Sequence, residues 1–246
     1  MRKLLSVTLL SLVFGFAQAA EPDGPTKAYA EWSMSLDAQG HVTDLTLKPG
    51  RVTETLRVPL ERAIRSWEFE PGTVNDKPAP TQTTLGIEFT VALTVDNEAF
   101  VITVDDVHTG GSIKHKEKLP SLTWYDAKEK ARSGAPSLLM LRVTYDSRGK
   151  PTDIKVDEGS PITEGKQVKD SIRAVRGWTF EPERVAGHAV VAQSLIPICY
   201  VYDASKNDPG RCTRDSVYGR KDFSSGRSLA LDSSVKLKSD VIGRTL

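Results

Sequence analysis

The sequence is short of most residues that carry chemistry. Cysteine occurs twice, as Cys199 and Cys212, and histidine four times, as His41, His108, His115 and His188. No spacing among them fits a zinc-site template, so no metal centre is expected. His108 and His115 have Asp105 and Asp106 nearby, and solvated loop residues are the simpler reading of that group. There is no Gly-x-Ser-x-Gly elbow and no phosphate-binding glycine loop. An excess of one charge is also missing, with 33 Lys and Arg against 32 Asp and Glu. A near-neutral chain gives nucleic acid no electrostatic footing. The expectation is a binding protein, not an enzyme, with no cofactor.

Long hydrophobic runs are absent with one exception. Leu4 to Phe16 is apolar, preceded by Arg2 and Lys3 and followed by Ala17-Gln18-Ala19. That order is a secretory signal cut after Ala19, so residues 1–19 are expected to be a signal peptide. The run is shorter than the roughly 20 residues a spanning helix needs, and no stable membrane insertion is expected after cleavage. An uncleaved anchor is the alternative. Cleavage removes Arg2, Lys3 and no acid, taking the formal charge from +1 to −1. In an oxidising compartment the two cysteines are expected to form one disulfide, Cys199 to Cys212, with two free thiols as the alternative. Loop-closure entropy would make such a bridge worth roughly 3 kcal/mol.

What the chain does contain is a repeat. Arg62-Ala63-Ile64-Arg65-Ser66-Trp67-Glu68-Phe69-Glu70-Pro71 returns as Arg173-Ala174-Val175-Arg176-Gly177-Trp178-Thr179-Phe180-Glu181-Pro182, with seven of ten positions identical. A chance match with two aromatics in register is improbable, so the chain reads as a duplication.

The surroundings of the two copies agree. Trp32 to Leu36 alternates as a half-buried strand, Asp37-Ala38-Gln39-Gly40 turns, and Val42 to Leu47 returns. Leu56, Leu60, Ile64 and Trp67 then form one helical stripe, with Pro59 best placed in the first turn. Trp67 and Phe69, two apart in an extended exit, share a face and enter one core, and Pro71 helps prevent a return to helix. Leu85, Ile87, Phe89 and Val91 alternate as a third strand. In the second copy Leu139 to Tyr145, the turn Asp146 to Gly149, Ile154 and Val156, the stripe Val168, Ile172, Val175 and Trp178, and Ile196 to Tyr202 repeat that order. Pro197 cannot donate to a ladder, so its strand is expected at an edge or irregular. The expected class is α+β, as two tandem β-β-α-β units, each an antiparallel sheet packed on one helix. The expected divisions are a first domain at 27–107 with an added hairpin, a linker at 108–118, a second domain at 119–212 and a polar, disordered tail at 213–246.

These residues resemble the C-terminal domain of TonB, present twice. The second copy matches along Leu119 to Tyr202: a leading helix from Tyr125 to Gly134, the Asp146–Gly149 turn, Trp178-Thr179-Phe180-Glu181-Pro182, a loop glycine at Gly187, and a last strand through Pro197-Ile198-Cys199-Tyr200. The first matches along Trp32 to Phe89 without the leading helix. The structural signature is then Trp67, Phe69, Pro71, Trp178, Phe180 and Pro182, with the rings expected in the core and the prolines as stops. The family's energy transducers carry a membrane anchor and a Pro-rich spacer, whereas the 14 prolines here are scattered.

The resemblance implies the periplasm of a Gram-negative bacterium and protein partners, among them outer-membrane receptors, with a homodimer left open. Binding would proceed by strand addition, in which main-chain hydrogen bonds give affinity and alternate side chains give choice. The expected edges are Thr83 to Val91 and Gln193 to Tyr202, the latter through Gln193, Leu195, Pro197, Cys199 and Val201. A structural or assembly protein of the cell envelope, without an energy-transducing role, is the alternative.

Overall fold

The computed structural model describes residues 24–50, 52–94, 99–119, 138–200 and 228–246. The signal peptide, the leading helix at Tyr125 to Gly134, Val201 and Cys212 lie outside the described residues.

Strand β1 (Thr26–Leu36) pairs antiparallel with β2 (Val42–Leu47) through the expected turn. Helix α1 (Glu54–Ile64) covers one face of that hairpin. Pro59 lies inside the helix and not in its first turn, because the helix begins at Glu54. Beyond α1 the exit forms β3 (Phe69–Glu70) and a small hairpin of β4 (Thr73–Val74) and β5 (Lys77–Pro78). Asn75 and Asp76 at its tip both take positive φ, as the tight two-residue hairpin turn requires. Strand β6 (Thr81–Leu93) then runs along β1 and pairs on its other side with β7 (Phe100–Gly110).

After β8 (Ser112–His115), the order of hairpin, helix and extended exit recurs. Strands β9 (Leu138–Tyr145) and β10 (Pro151–Val156) form a hairpin, α2 (Lys166–Arg176) follows, and the exit gives β11 (Thr179–Glu181), β12 (Arg184–Val185) and β13 (His188–Ala189). The remaining strands are β14 (Ala192–Cys199), β15 (Leu229–Ala230) and β16 (Lys236–Leu237). The chain is thus α+β and sheet-rich, with antiparallel pairing throughout and two helices among the described residues.

The cores follow from strand and helix periodicity. Alternate residues Ala30, Trp32, Met34 and Leu36 of β1 are buried with Leu60 and Ile64 of α1 and with Trp67 and Phe69. A second cluster joins Leu139, Leu141, Val143 and Tyr145 of β9 to Val168 and Val175 of α2 and to Trp178 and Phe180.

Both turns are locked onto the aromatic exits. The Asp37 carboxylate accepts the amides of Gln39 and His41 at 2.9 Å each, and the Asp146 carboxylate accepts those of Arg148 and Lys150 at the same distance. Gly40 and Gly149 have φ of 89° and 75°. A Cβ on either would lie 1.9 Å from the carbonyl oxygen of Phe69 or Phe180. Only glycine permits both the φ and the approach.

Two segments depart from expectation, and they do so as a pair. Residues 108–118, expected as a linker, continue β7 to Gly110 and then form β8, which crosses to pair with β11 in the second core. Trp178 also donates its indole N–H to the Glu117 carbonyl at 3.1 Å. Residues 228–246 of the expected disordered tail are structured. Strand β15 pairs with β14, and β16 crosses back to pair with β3 in the first core. Val235 and Val241 are buried there, and residues 243–246 bond the outer edge of β7 at Ile102 and Val104. Each signature strand is therefore bordered by the arm that leaves the other core. Polar composition hid this, since a few alternate apolar residues suffice for a strand that joins an existing core.

Candidate functional site

The signature residues are structural. Trp67 and Phe69 lie in the first core, Trp178 and Phe180 in the second, Pro71 is buried and Pro182 is half-buried. Tyr145 stacks on Phe180 with ring centroids 4.5 Å apart.

Of the two strands expected to be open edges, one is internal and the other is covered over part of its length. Strand β6 pairs with β1 along its whole run to Val91 and with β7 from Thr84 onward, so Thr83 to Val91 is internal. Strand β14 pairs with β9 on one side, while β15 covers Ser194 and Leu195 on the other. The Gln193 amide donates to Asp232 Oδ1 at 2.8 Å, and the Gln193 carbonyl accepts from Leu231. Leu195 is buried with Leu138, Met140 and Leu229. Pro197 follows the same parity as Gln193, so its missing N–H faces away from β9 and no bond to that strand is lost. Cys199 ends β14, half-buried.

Among the described residues β2 and β10 each end a sheet and pair on one side only, as the two-residue strands β13 and β15 do at the opposite ends. Strands β2 and β10 are built alike. The Lys48 amide bonds the Glu31 carbonyl at 2.8 Å, so by alternation the Asp44 and Thr46 amides face β1, and those of Leu45 and Leu47 face outward. The Asp157 amide bonds the Met140 carbonyl at 2.9 Å, which turns the amides of Ile154 and Val156 outward in the same way. Each edge has an irregularity near its turn, where Thr43 or Thr152 donates its hydroxyl back to the neighbouring strand.

Polar side chains concentrate where the two cores meet. Lys48 donates to Thr84 Oγ1 at 2.9 Å, Ser112 Oγ at 2.7 Å and Glu181 Oε2 at 2.6 Å. Glu181 thus pairs with Lys48. A lysine beside a buried serine invites comparison with nucleophilic dyads. Three acceptors use all three N–H groups of an ammonium, however, and leave no lone pair to act as a base. The arrangement clamps three segments together. Glu183, which is 1% exposed, does the same. Its carboxylate accepts from Thr83 Oγ1 and the Ser234 amide at 2.6 Å each and from Ser233 Oγ at 3.1 Å. Neither Lys48 nor Glu183 belongs to a motif, and both acquire a role only when distant segments meet.

On the outer face of the first sheet, Tyr29 donates its hydroxyl to Glu31 at 2.6 Å and stacks on His108. The Tyr29 oxygen lies 3.1 Å from His108 Nε2, and since the phenol proton is given to Glu31, Nε2 is the donor there. Gly86 lies beneath, where a Cβ would fall 2.2 Å from Nε2. His108 and His115 therefore lie on β7 and β8, not in a solvated linker. Among the described residues no three His, Cys, Asp or Glu are grouped to hold a metal, and no helix is long and apolar enough to cross a membrane.

One cleft, of about 220 Å³, opens between the polar face of β1 and β6 and the Glu181–Arg184 segment. Asp44, Ser33, Ser35, Gln82 and Thr84 also line it.

Comparison with known proteins finds no matching family model, no matching curated protein and no matching solved structure.

Proposed function

We propose that the chain is an exported protein-binding module, built as two tandem units like the C-terminal domain of TonB, that takes an extended segment of an envelope partner by strand addition. The outward amides of β2, at Leu45 and Leu47, carry this reading, with their counterparts on β10. A row of N–H and C=O groups at a sheet's end is a template for a further strand. The working location is the periplasm of a Gram-negative bacterium, and the partners are outer-membrane receptors.

The test is a pull-down from envelope extract, followed by amide exchange on the free and bound protein. Recovery of a receptor, with new protection at Leu45 and Leu47 or at Ile154 and Val156, supports the reading. If no receptor is recovered and uptake is unchanged on deletion, transport fails as the role.

One observation favours the alternative, an envelope structural or assembly protein. The irregularities of both edges, with Asp44 on one and Asp153 and Lys155 on the other, are devices that blunt strand addition. On that reading recovered partners leave both edges unprotected.

A further inference from the structure

We propose that the cleft on the first sheet binds a short peptide by both its free ends, with the α-ammonium at Asp44 and the α-carboxylate at Arg184. The register sets this up. Asp44 pairs with Ser35, Ser35 with Gln82, and Gln82 with Arg184. Directly paired residues share a face, so these four side chains form one row across four strands. An acid ends the row on one side and a guanidinium on the other.

The spacing selects the ligand. Three strand separations place the terminal Cα atoms about 14 Å apart. Asp44 and Arg184 both line the cleft, and the lengths of their side chains shorten that span to about three extended residues, or roughly 10 Å. Between the ends, Ser35 and Gln82, with Ser33 and Thr84 in the adjacent row, offer donors and acceptors to peptide groups. No aromatic ring lines the cleft, so bases and sugars find nothing to stack on. About 220 Å³ is below the roughly 300 Å³ at which sites for drug-sized molecules begin, which suits small residues.

The two ends are available. Asp44 is exposed and in no side-chain hydrogen bond among the described residues. Arg184 gives one N–H to the Gly187 carbonyl at 3.1 Å, and the rest of its fork can grip a carboxylate. Glu181 on the cleft wall is neutralised by Lys48, so it does not compete for the ammonium. The site lies on the face of the sheet and not along its β2 edge, and so does not rest on strand addition.

Calorimetric titration of the full chain with Gly-Ser-Gly tests this, using the unblocked, N-acetylated and C-amidated peptides. The unblocked form is expected to bind, and either block to weaken binding about tenfold or more. Asp44→Asn should abolish the difference made by acetylation, and Arg184→Gln that made by amidation. Both side chains are exposed, and a thermal melt confirms that each variant folds. Equal binding of the three forms, wild-type affinity in both variants, or no binding at millimolar peptide overturns the proposal.

Discussion

The amide of Phe180 donates to the carbonyl of Gly149 at 2.8 Å. A turn between two strands is thereby held against the exit from a helix some thirty residues later, and Gly40 makes the matching approach to Phe69. Placing alanine at Gly149 forces a positive φ on an L-residue and drives a Cβ into a carbonyl oxygen. Gly149→Ala is expected to cost about 2 kcal/mol or more, and Gly40→Ala a similar amount. Urea unfolding checks this, through a lower midpoint at unchanged slope. A cost near zero would show that the turn does not hold the exit.

The crossing arms make the two cores depend on each other. Val235→Ala and Val241→Ala should each cost roughly 2 kcal/mol, lowering the melting temperature by about 4–8 °C, although both lie in the tail. Trypsin should cut slowly at Lys114, within β8, and at Lys116, just after it, instead of splitting the chain into two halves there. Rapid cleavage into two stable fragments would contradict the arm exchange.

Burial pushes the Tyr145 phenol up to about 12 from its usual 10.0. The fold therefore favours the neutral phenol. That contribution is complete below pH 10 and is lost as pH rises from about 10 toward 12. Its hydroxyl makes no hydrogen bond of good geometry among the described residues, and the nearby Ser194 hydroxyl only partly offsets the burial. Tyr145→Phe keeps the stack on Phe180, so stability at pH 7 should stay level or rise by up to about 1 kcal/mol. The loss of stability between pH 10 and 12 should become smaller, as read by melts across that range.

Acid acts with the opposite sign. The His41 amide lowers the Asp37 carboxyl, and the Lys150 amide lowers that of Asp146, each from the usual 3.8. Their contribution is present above pH 4 and is lost as pH falls through the lowered folded values. Asp146→Asn should flatten the acid limb of stability below pH 4, and an unchanged limb would show the turn carboxylate to be idle.

Much of the fold was legible in the residues. The alternation of β1, the stripes of α1 and α2 and the two Asp-x-x-Gly turns are local patterns of period and turn chemistry, and each element lies where its pattern places it. The candidate site was less legible. Thr83 to Val91 and Gln193 to Tyr202 read as edge strands, although the first is internal and the second is covered at Gln193 to Leu195, because a strand's pattern reports which faces are buried and not which sides are paired. Lys48, Glu183 and the row from Asp44 to Arg184 carried no signal. Their meaning lies in a register between strands far apart in sequence.

Sequence by itself determined the elements and the aromatic contents of two cores, because burial periodicity and glycine turns act over a few residues. Tertiary structure alone decided that β8 and β16 cross between those cores, that β2 and β10 each end a sheet, and that opposite charges end one row of a polar cleft. Strand pairing is made by main-chain groups common to nearly every residue, so which strands meet depends on how the cores assemble and not on the letters of either strand.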